Sequence, residues 1–251
     1  MGPYAAVEEI EGSAASRFLL ICDHATNLVP PEVGGGSLGL PPEEMARHIA
    51  YDIGVRGVTH ALAGRLAAPA LLTRFSRLVI DPNRGEDDPT LVMRLYDGTV
   101  IPGNRAVPPE EVARRLDAYH RPYHDRIEAR LDAAVARGRQ PALVSIHSYT
   151  PQLKGRPPRP WQVGILWHHD GRIARPLMAR LRAEGFVVGD NEPYSGELEG
   201  DTMSRHGTGR GLPHALIEIR QDLIGTPEAQ QAWAARLAPI LATVVAEIPD
   251  G

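Results

Sequence analysis

The sequence predicts an α/β fold in which a mixed, mainly parallel sheet is covered by helices on both faces. Three observations carry this. Short, continuously apolar runs recur, as in Ala-Leu-Val-Ser-Ile-His-Ser-Tyr at 142–149, the pattern of strands buried on both sides. Segments with apolar residues three and four apart alternate with those runs, giving the order strand, helix, strand, helix. A chain of 251 residues that is 43% hydrophobic and 23% charged also has the composition of a globular protein with one large core.

Residues 1–15 read as a loose N-terminal arm and 16–251 as a single domain. Residues 17–23 form the first buried strand, which stops at Asp23-His24. Between Pro41 and Ala67, the spacing of Met45, Ile49, Ile53, Val58, Leu62 and Leu66 predicts one kinked helix or two in tandem, interrupted near Gly54 and Gly57. Stretches 70–72 and 78–80 are short strands, and the second runs into Asp81-Pro82-Asn83-Arg84 and an acidic loop. Pro109 opens the longest helix, whose buried stripe is Val112, Leu116, Tyr119, Tyr123, Ile127, Leu131 and Val135. That helix feeds the strand ending at His147.

Residues 152–161, rich in Pro, Arg and Gly, read as a surface loop. A strand at 162–167, a helix at 173–184 and a short strand at 186–189 follow. Residues 190–213 show no regular pattern, and Gly196, Gly200, Gly207, Gly209 and Gly211 give them the freedom of a segment that closes over a ligand. His-Ala-Leu-Ile-Glu-Ile-Arg at 214–220 is the last strand. Thr226-Pro227 then caps and opens a final helix carrying Trp233, Leu237, Ile240, Leu241 and Val244 on its inner face.

A net charge of −4 leaves no electrostatic footprint for nucleic acid or an anionic membrane, so neither is expected as a partner. The single cysteine, Cys22, cannot form an internal disulfide, which points to core packing in a reducing compartment. The N-terminus carries acids where a signal peptide carries bases, and no run approaches a membrane span. The expected location is the cytoplasm.

Four stretches place polar residues at the end of, or within, a buried strand: Asp23-His24-Ala25-Thr26-Asn27, Asp81-Pro82-Asn83-Arg84, Ser145-Ile146-His147-Ser148-Tyr149 and Glu218-Ile219-Arg220. In open α/β sheets the carboxyl ends of strands are where ligands bind. A carboxylate inside an apolar strand is costly unless paired or at work, so Glu218 is either functional or ion-paired with Arg220 or Arg84. His24 and His147 can converge on one zinc ion, with a third protein ligand and an open position for a water that ionises near neutral pH. Zinc–nitrogen bonds of about 2 Å then require their nearest nitrogens to lie within about 5 Å. His120 and His124 share a metal-compatible spacing of four, but no third ligand lies near them in sequence, and they read as solvated or capping histidines.

Ser145 to Tyr149 resembles the strand end of zinc carboxypeptidases that delivers a metal-binding histidine, and Ala215 to Arg220 is similar to their strand bearing the catalytic glutamate. The chain as a whole, over 16–248, resembles the N-formylglutamate amidohydrolase family, distant relatives of those peptidases. The resemblance runs through Cys22 to Asn27, Ser76 to Arg84, Pro122-Tyr123-His124, Asn191 to Gly196, and Leu212 to Leu223.

It implies a three-layer, zinc-carboxypeptidase-like fold with one zinc per chain, held by His24, His147 and Asn27. Asn27 stands where the peptidases have a carboxylate ligand, and Asp23 is the alternative. Glu218 becomes general base and then acid, while Asn83 and Arg84 grip the substrate carboxylate. Arg77 and Arg220 are cations for a second carboxylate or the developing oxyanion, unless they are paired with Asp81 and Asp222. Tyr194 and Arg210 reach the bound anion from the glycine-rich segment. The implied substrate is a small dicarboxylate, N-formyl-L-glutamate, cleaved to formate and glutamate. The rivals are a related deacylase or carboxypeptidase-like amidase, and a non-catalytic binder of an anionic metabolite with a degenerate metal site.

Overall fold

Apolar runs and helical stripes assemble in the computed structural model, which describes residues 4–249, into one seven-stranded sheet and a separate hairpin. The strands are β1 (Val7–Ile10), β2 (Phe18–Cys22), β3 (Ala70–Thr73), the hairpin pair β4 (Leu95–Tyr96) and β5 (Thr99–Val100), β6 (Ala142–Tyr149), β7 (Val163–Leu166), β8 (Val188–Asp190) and β9 (His214–Arg220). The sheet order is β1-β3-β2-β6-β9-β7-β8. Neighbours are parallel except that β1 runs against β3 and β7 against β9. The mixed, mainly parallel sheet expected from the sequence is what forms.

The helices are α1 (Pro42–Met45), α2 (Val55–Leu66), α3 (Pro109–Arg115), α4 (Arg121–Val135), α5 (Ala174–Ala183), α6 (Thr202–His206) and α7 (Pro227–Ala246). Strand side chains alternate between faces, which decides what each helix covers. Leu20, Cys22, Val144, Ile146, Ala215, Ile217 and Ile219 pack with α2, α5 and α7. Their neighbours Leu19, Ile21, Leu143 and Leu216 pack with Tyr123, Ile127 and Leu131 of α4. A third cluster, including Phe75, Leu78, Val79, Ile80 and Tyr119, lies under the turn that carries Asp81 to Arg84.

Several expectations need correction. The arm is not loose where it is described: Val7–Ile10 pairs residue for residue with β3, and its first three residues lie outside the described ones. Leu78 and Val79 lie in a turn and Ile80 follows it outside any strand, with the Ser76 hydroxyl accepting from Leu78 N at 3.1 Å and the Ser76 carbonyl from Val79 N at 2.9 Å. Their burial reflects the third cluster, not the sheet. The acidic loop contains the β4–β5 hairpin, turned by Asp97 and Gly98 at φ 42° and 76°, as two-residue hairpins require. The long helix is continuous from α3 to α4 but widens at Leu116–His120, where Arg121 N bonds the Leu116 carbonyl five residues back. Pro122 cannot donate to the carbonyl four residues before it, which accounts for the bulge. Residues 190–213 contain α6, whose N-cap Asp201 accepts from Ser204 N.

Of 41–67 only Pro42–Met45 and Val55–Leu66 are helical; residues 46–54, with Ile49 and Ile53, form turns instead, and Gly54 sets where α2 begins. It opens α2 at φ 85°, and a Cβ there would stand 2.3 Å from the Ile224 carbonyl oxygen. Gly54→Ala should therefore cost about 2 kcal/mol or more through strain and overlap. Thermal unfolding checks this: a melting temperature equal to that of the parent would contradict the assigned constraint.

Candidate functional site

The strand period brings the site residues together at one rim of the sheet. β6 and β9 are in parallel register with His147 opposite Glu218, and both alternate onto the face of Leu143 and Leu216, toward α4. On the other side of β6, the end of β2 delivers Asp23 and His24. The 50–53 segment crosses these ends: Asp52 N donates to the His24 carbonyl at 3.0 Å, Ser148 N to Asp52 Oδ2 at 3.2 Å, and Ser148 Oγ to the Ile53 carbonyl at 2.8 Å.

The outcome is a compact donor set. Ligand atoms of His24, Asp52 and His147, all buried, lie within 4.8 Å of one another, inside the limit that zinc geometry sets for the two histidines. Both imidazoles turn Nδ1 toward Asp52 Oδ2, at 3.4 Å for His24 and 2.9 Å for His147. Their far nitrogens are tethered, with His24 Nε2 donating to Asp81 Oδ1 at 2.7 Å and His147 Nε2 to Asp23 Oδ2 at 3.0 Å. A carboxylate on the outer nitrogen fixes the orientation of the ring and aims the inner nitrogen, once its proton is displaced, at a cation.

The tethers are themselves held. Asp81 Oδ2 accepts from Arg77 Nε at 3.1 Å and Nη2 at 2.7 Å, Asp81 Oδ1 also accepts from Asn83 N at 2.9 Å, and Asp23 Oδ1 accepts from the Tyr123 hydroxyl at 2.7 Å. Burial works against ionising these acids, but Arg77 outweighs it and holds Asp81 well below the usual carboxylate range. The two histidines outweigh burial in the same way at Asp52, and His147 leads the same effect at Asp23. Burial also opposes charge on His147, yet Asp23 and Asp52 hold its imidazole well above the ordinary value. At Glu218 burial, with the nearby Asp52 charge, is not offset by the pull of His147, His24 and Arg77. Burial pushes its carboxyl up to about 7, and its Oε2 is buried without a hydrogen-bond partner. An orphaned oxygen of this kind marks a place for a water, an ion or a ligand.

These residues open onto a cavity of about 130 Å³, lined among others by His24, Asp52, Arg77, Asn83, Arg84, Tyr96, His147, Tyr194, Asp201 and Glu218. The expected Arg77, Asn83, Arg84 and Tyr194 are therefore at its wall. Asn27, Arg210 and Arg220 are not. Asn27 belongs to a separate surface groove and spends its amide nitrogen on the Met45 carbonyl at 2.9 Å, because the chain after His24 runs on without a helical turn to fold it back. Arg210 is ion-paired with Asp132 and, at 3.6 Å, with Glu128 on the outer side of α4. Arg220 pairs with Asp222 at 2.8 Å. Asp23, the alternative ligand, sits behind the His147 ring instead of in front of it.

Asp52 is the residue that sequence reasoning missed. It falls in a stretch of helical spacing, where an acid between Tyr51 and Ile53 reads as a solvated face; the only cue is the break two residues on, at Gly54. His120 and His124 also depart from expectation, since both are buried. His120 Nε2 donates to the Arg84 carbonyl at 3.0 Å and His124 Nε2 to the Pro82 carbonyl at 2.9 Å, while His124 Nδ1 lies 2.9 Å from His206 Nε2. They pin the turn bearing Asn83 and Arg84. Thr202 N donates to Asn83 Oδ1 at 3.1 Å, so the Asn83 amide nitrogen is the end left for a ligand.

Residues 16–225 match the model of the N-formylglutamate amidohydrolase family. The crystal structure of a gene product of Agrobacterium tumefaciens is similar at 33% identity and a TM-score of 0.91, over 98% of this chain and 96% of that one. An N-formylglutamate amidohydrolase from Ralstonia eutropha is similar in fold, with a TM-score of 0.73 at 23% identity over 98% of this chain and all, 100%, of the other. No curated protein matches the chain. With the family model covering most of its length, the chain belongs to the N-formylglutamate amidohydrolase family.

Proposed function

We propose that this amidohydrolase depends on a divalent metal, zinc, and cleaves the formyl amide of a small N-formyl amino acid, N-formyl-L-glutamate, into formate and the free amino acid. One observation carries the reading: two imidazoles, each tethered through Nε2, point Nδ1 at the Asp52 carboxylate beside the partnerless Glu218 oxygen. Two neutral nitrogens and one carboxylate suit zinc in a site that keeps a position open. The degenerate-site alternative rested on a neutral amide as third donor. With Asp52 in that place the donor set is complete.

His24, Asp52 and His147 would hold the ion, which when bound supplies Lewis acidity to the amide carbonyl and acidifies a water. Glu218 takes a proton from the attacking water at its free oxygen, and a carboxyl poised near 7 gives it back to the departing amine nitrogen. Asn83, through its amide nitrogen, and Arg84 grip the α-carboxylate in the plane of the guanidinium. Arg77, paired with Asp81 at 2.7 Å, holds the carboxylate that orients His24, a positioning role in place of the oxyanion role expected of it. No described helix is long and apolar enough to cross a membrane. A buried, unpaired Cys22 accords with the cytoplasm as the place of action.

Two measurements test the reading. Formate release by Glu218→Gln should fall about a hundredfold or more, the scale of a lost general base, while zinc content stays at one per chain. Normal turnover would remove Glu218 from its role. In equilibrium dialysis, Asp52→Ala should weaken zinc binding by more than the roughly tenfold to hundredfold of an outer-sphere loss, and Asn27→Ala should leave it unchanged. The reverse pattern would restore Asn27 as ligand.

A further inference from the structure

A substrate with a second, distal carboxylate needs a second cation, and most arginines near the cavity are already neutralised. Arg77 is committed to Asp81, Arg220 to Asp222, and Arg210 to Asp132 and Glu128. Arg84 serves the α-carboxylate. Arg159, in the 152–161 loop, is different: its guanidinium Nη1 donates to the Thr150 carbonyl and to the Tyr194 hydroxyl, both at 3.1 Å and both neutral. Among the described residues no carboxylate ion-pairs with it.

Arg159 is not itself a lining residue of the cavity but stands directly behind three that are. The guanidinium carbon lies 5.6 Å from the Tyr149 ring centre and 4.9 Å from that of Tyr194, and Tyr149, Thr150 and Tyr194 all line the cavity. Two aromatic rings strip water from a cation without giving it a counter-charge, a state completed best by an anionic ligand. Both hydrogen bonds use Nη1, which leaves the Nε–Nη2 edge, the fork that receives a carboxylate in two parallel bonds. The loop is also tied down: Arg159 N bonds the Pro151 carbonyl at 2.8 Å, and Arg220 donates to the carbonyls of Arg159 at 3.4 Å and Trp161 at 3.3 Å. Arg220, expected in catalysis, thus braces the backbone of Arg159.

We propose that Arg159 determines specificity by taking the distal carboxylate of the ligand, so that the site prefers acidic over neutral N-acyl amino acids. The identity of the substrate rests on the amidohydrolase reading; the dicarboxylate site is tested apart from it. Calorimetric titration of the zinc-loaded protein with glutarate and with its mono-amide should show glutarate binding about tenfold tighter or more, the scale of a charge-assisted hydrogen-bonded pair. Arg159→Gln should bring the two affinities close to parity, and Arg159→Lys should keep part of the preference. A preference that survives in Arg159→Gln, or a parent protein that binds both equally, overturns the assignment. Formate release from N-formyl-L-glutamate and N-formyl-L-glutamine is read separately. Absence of turnover with the glutarate preference intact would sink the hydrolase reading and uphold the role of Arg159.

Discussion

The structure depends on how three buried carboxylates share two imidazoles. Asp81, Asp52 and Asp23 alternate with His24 and His147 in one hydrogen-bonded chain, ended by Arg77 on one side and the Tyr123 hydroxyl on the other. Each acid is costly to bury alone, and removing one member of such a chain leaves its neighbour's charge uncompensated, a loss of about 3–5 kcal/mol. The segments that contribute to it, the ends of β2 and β6, the 50–53 crossing and the turn at 81–84, are therefore fixed by the same bonds that build the site. With the outer nitrogens tethered to Asp81 and Asp23, the two inner ones converge on Asp52.

Strand alternation explains why charge and core coexist within a few ångströms. On β6, Val144 and Ile146 point into the apolar layer under α2, α5 and α7, while Ser145 and His147 point to the opposite side, where Asp23, held by the Tyr123 hydroxyl, receives them. The same two-residue rhythm on β9 separates Ile217 and Ile219 from Glu218. A slip of one residue in either strand would exchange the apolar and polar sets, so the packing of the α7 side enforces the register of the catalytic side.

Sequence carried the strand-borne part of this design and lost the loop-borne part. His147 and Glu218 sit in runs whose apolar neighbours declare both the strand and the face, and those strands run from Ala142 to Tyr149 and from His214 to Arg220 as expected. His24 was legible because it ends a strand. Asp52 was not, since its partners are 28 and 95 residues away and its own segment has helical spacing. Asn27 came from the resemblance, which puts a ligand three residues after His24; the irregular chain there carries its amide to the Met45 carbonyl instead. Leu78 to Ile80 looked like a strand because burial in a third cluster and burial in a sheet leave the same apolar trace. Arg159 was hidden by composition, as a loop rich in Pro, Arg and Gly reads as solvent-facing until Tyr149 and Tyr194 are seen on either side of it.

A crystal grown with zinc and measured at the metal's absorption edge tests the central claim most directly. The account predicts one anomalous peak bonded at about 2 Å to Nδ1 of His24, Nδ1 of His147 and the Asp52 carboxylate, with both Nε2 atoms still on their aspartates. An ion held through either Nε2, or by Asn27 or Asp23 in place of Asp52, would contradict it, as would a map with no peak between the two rings.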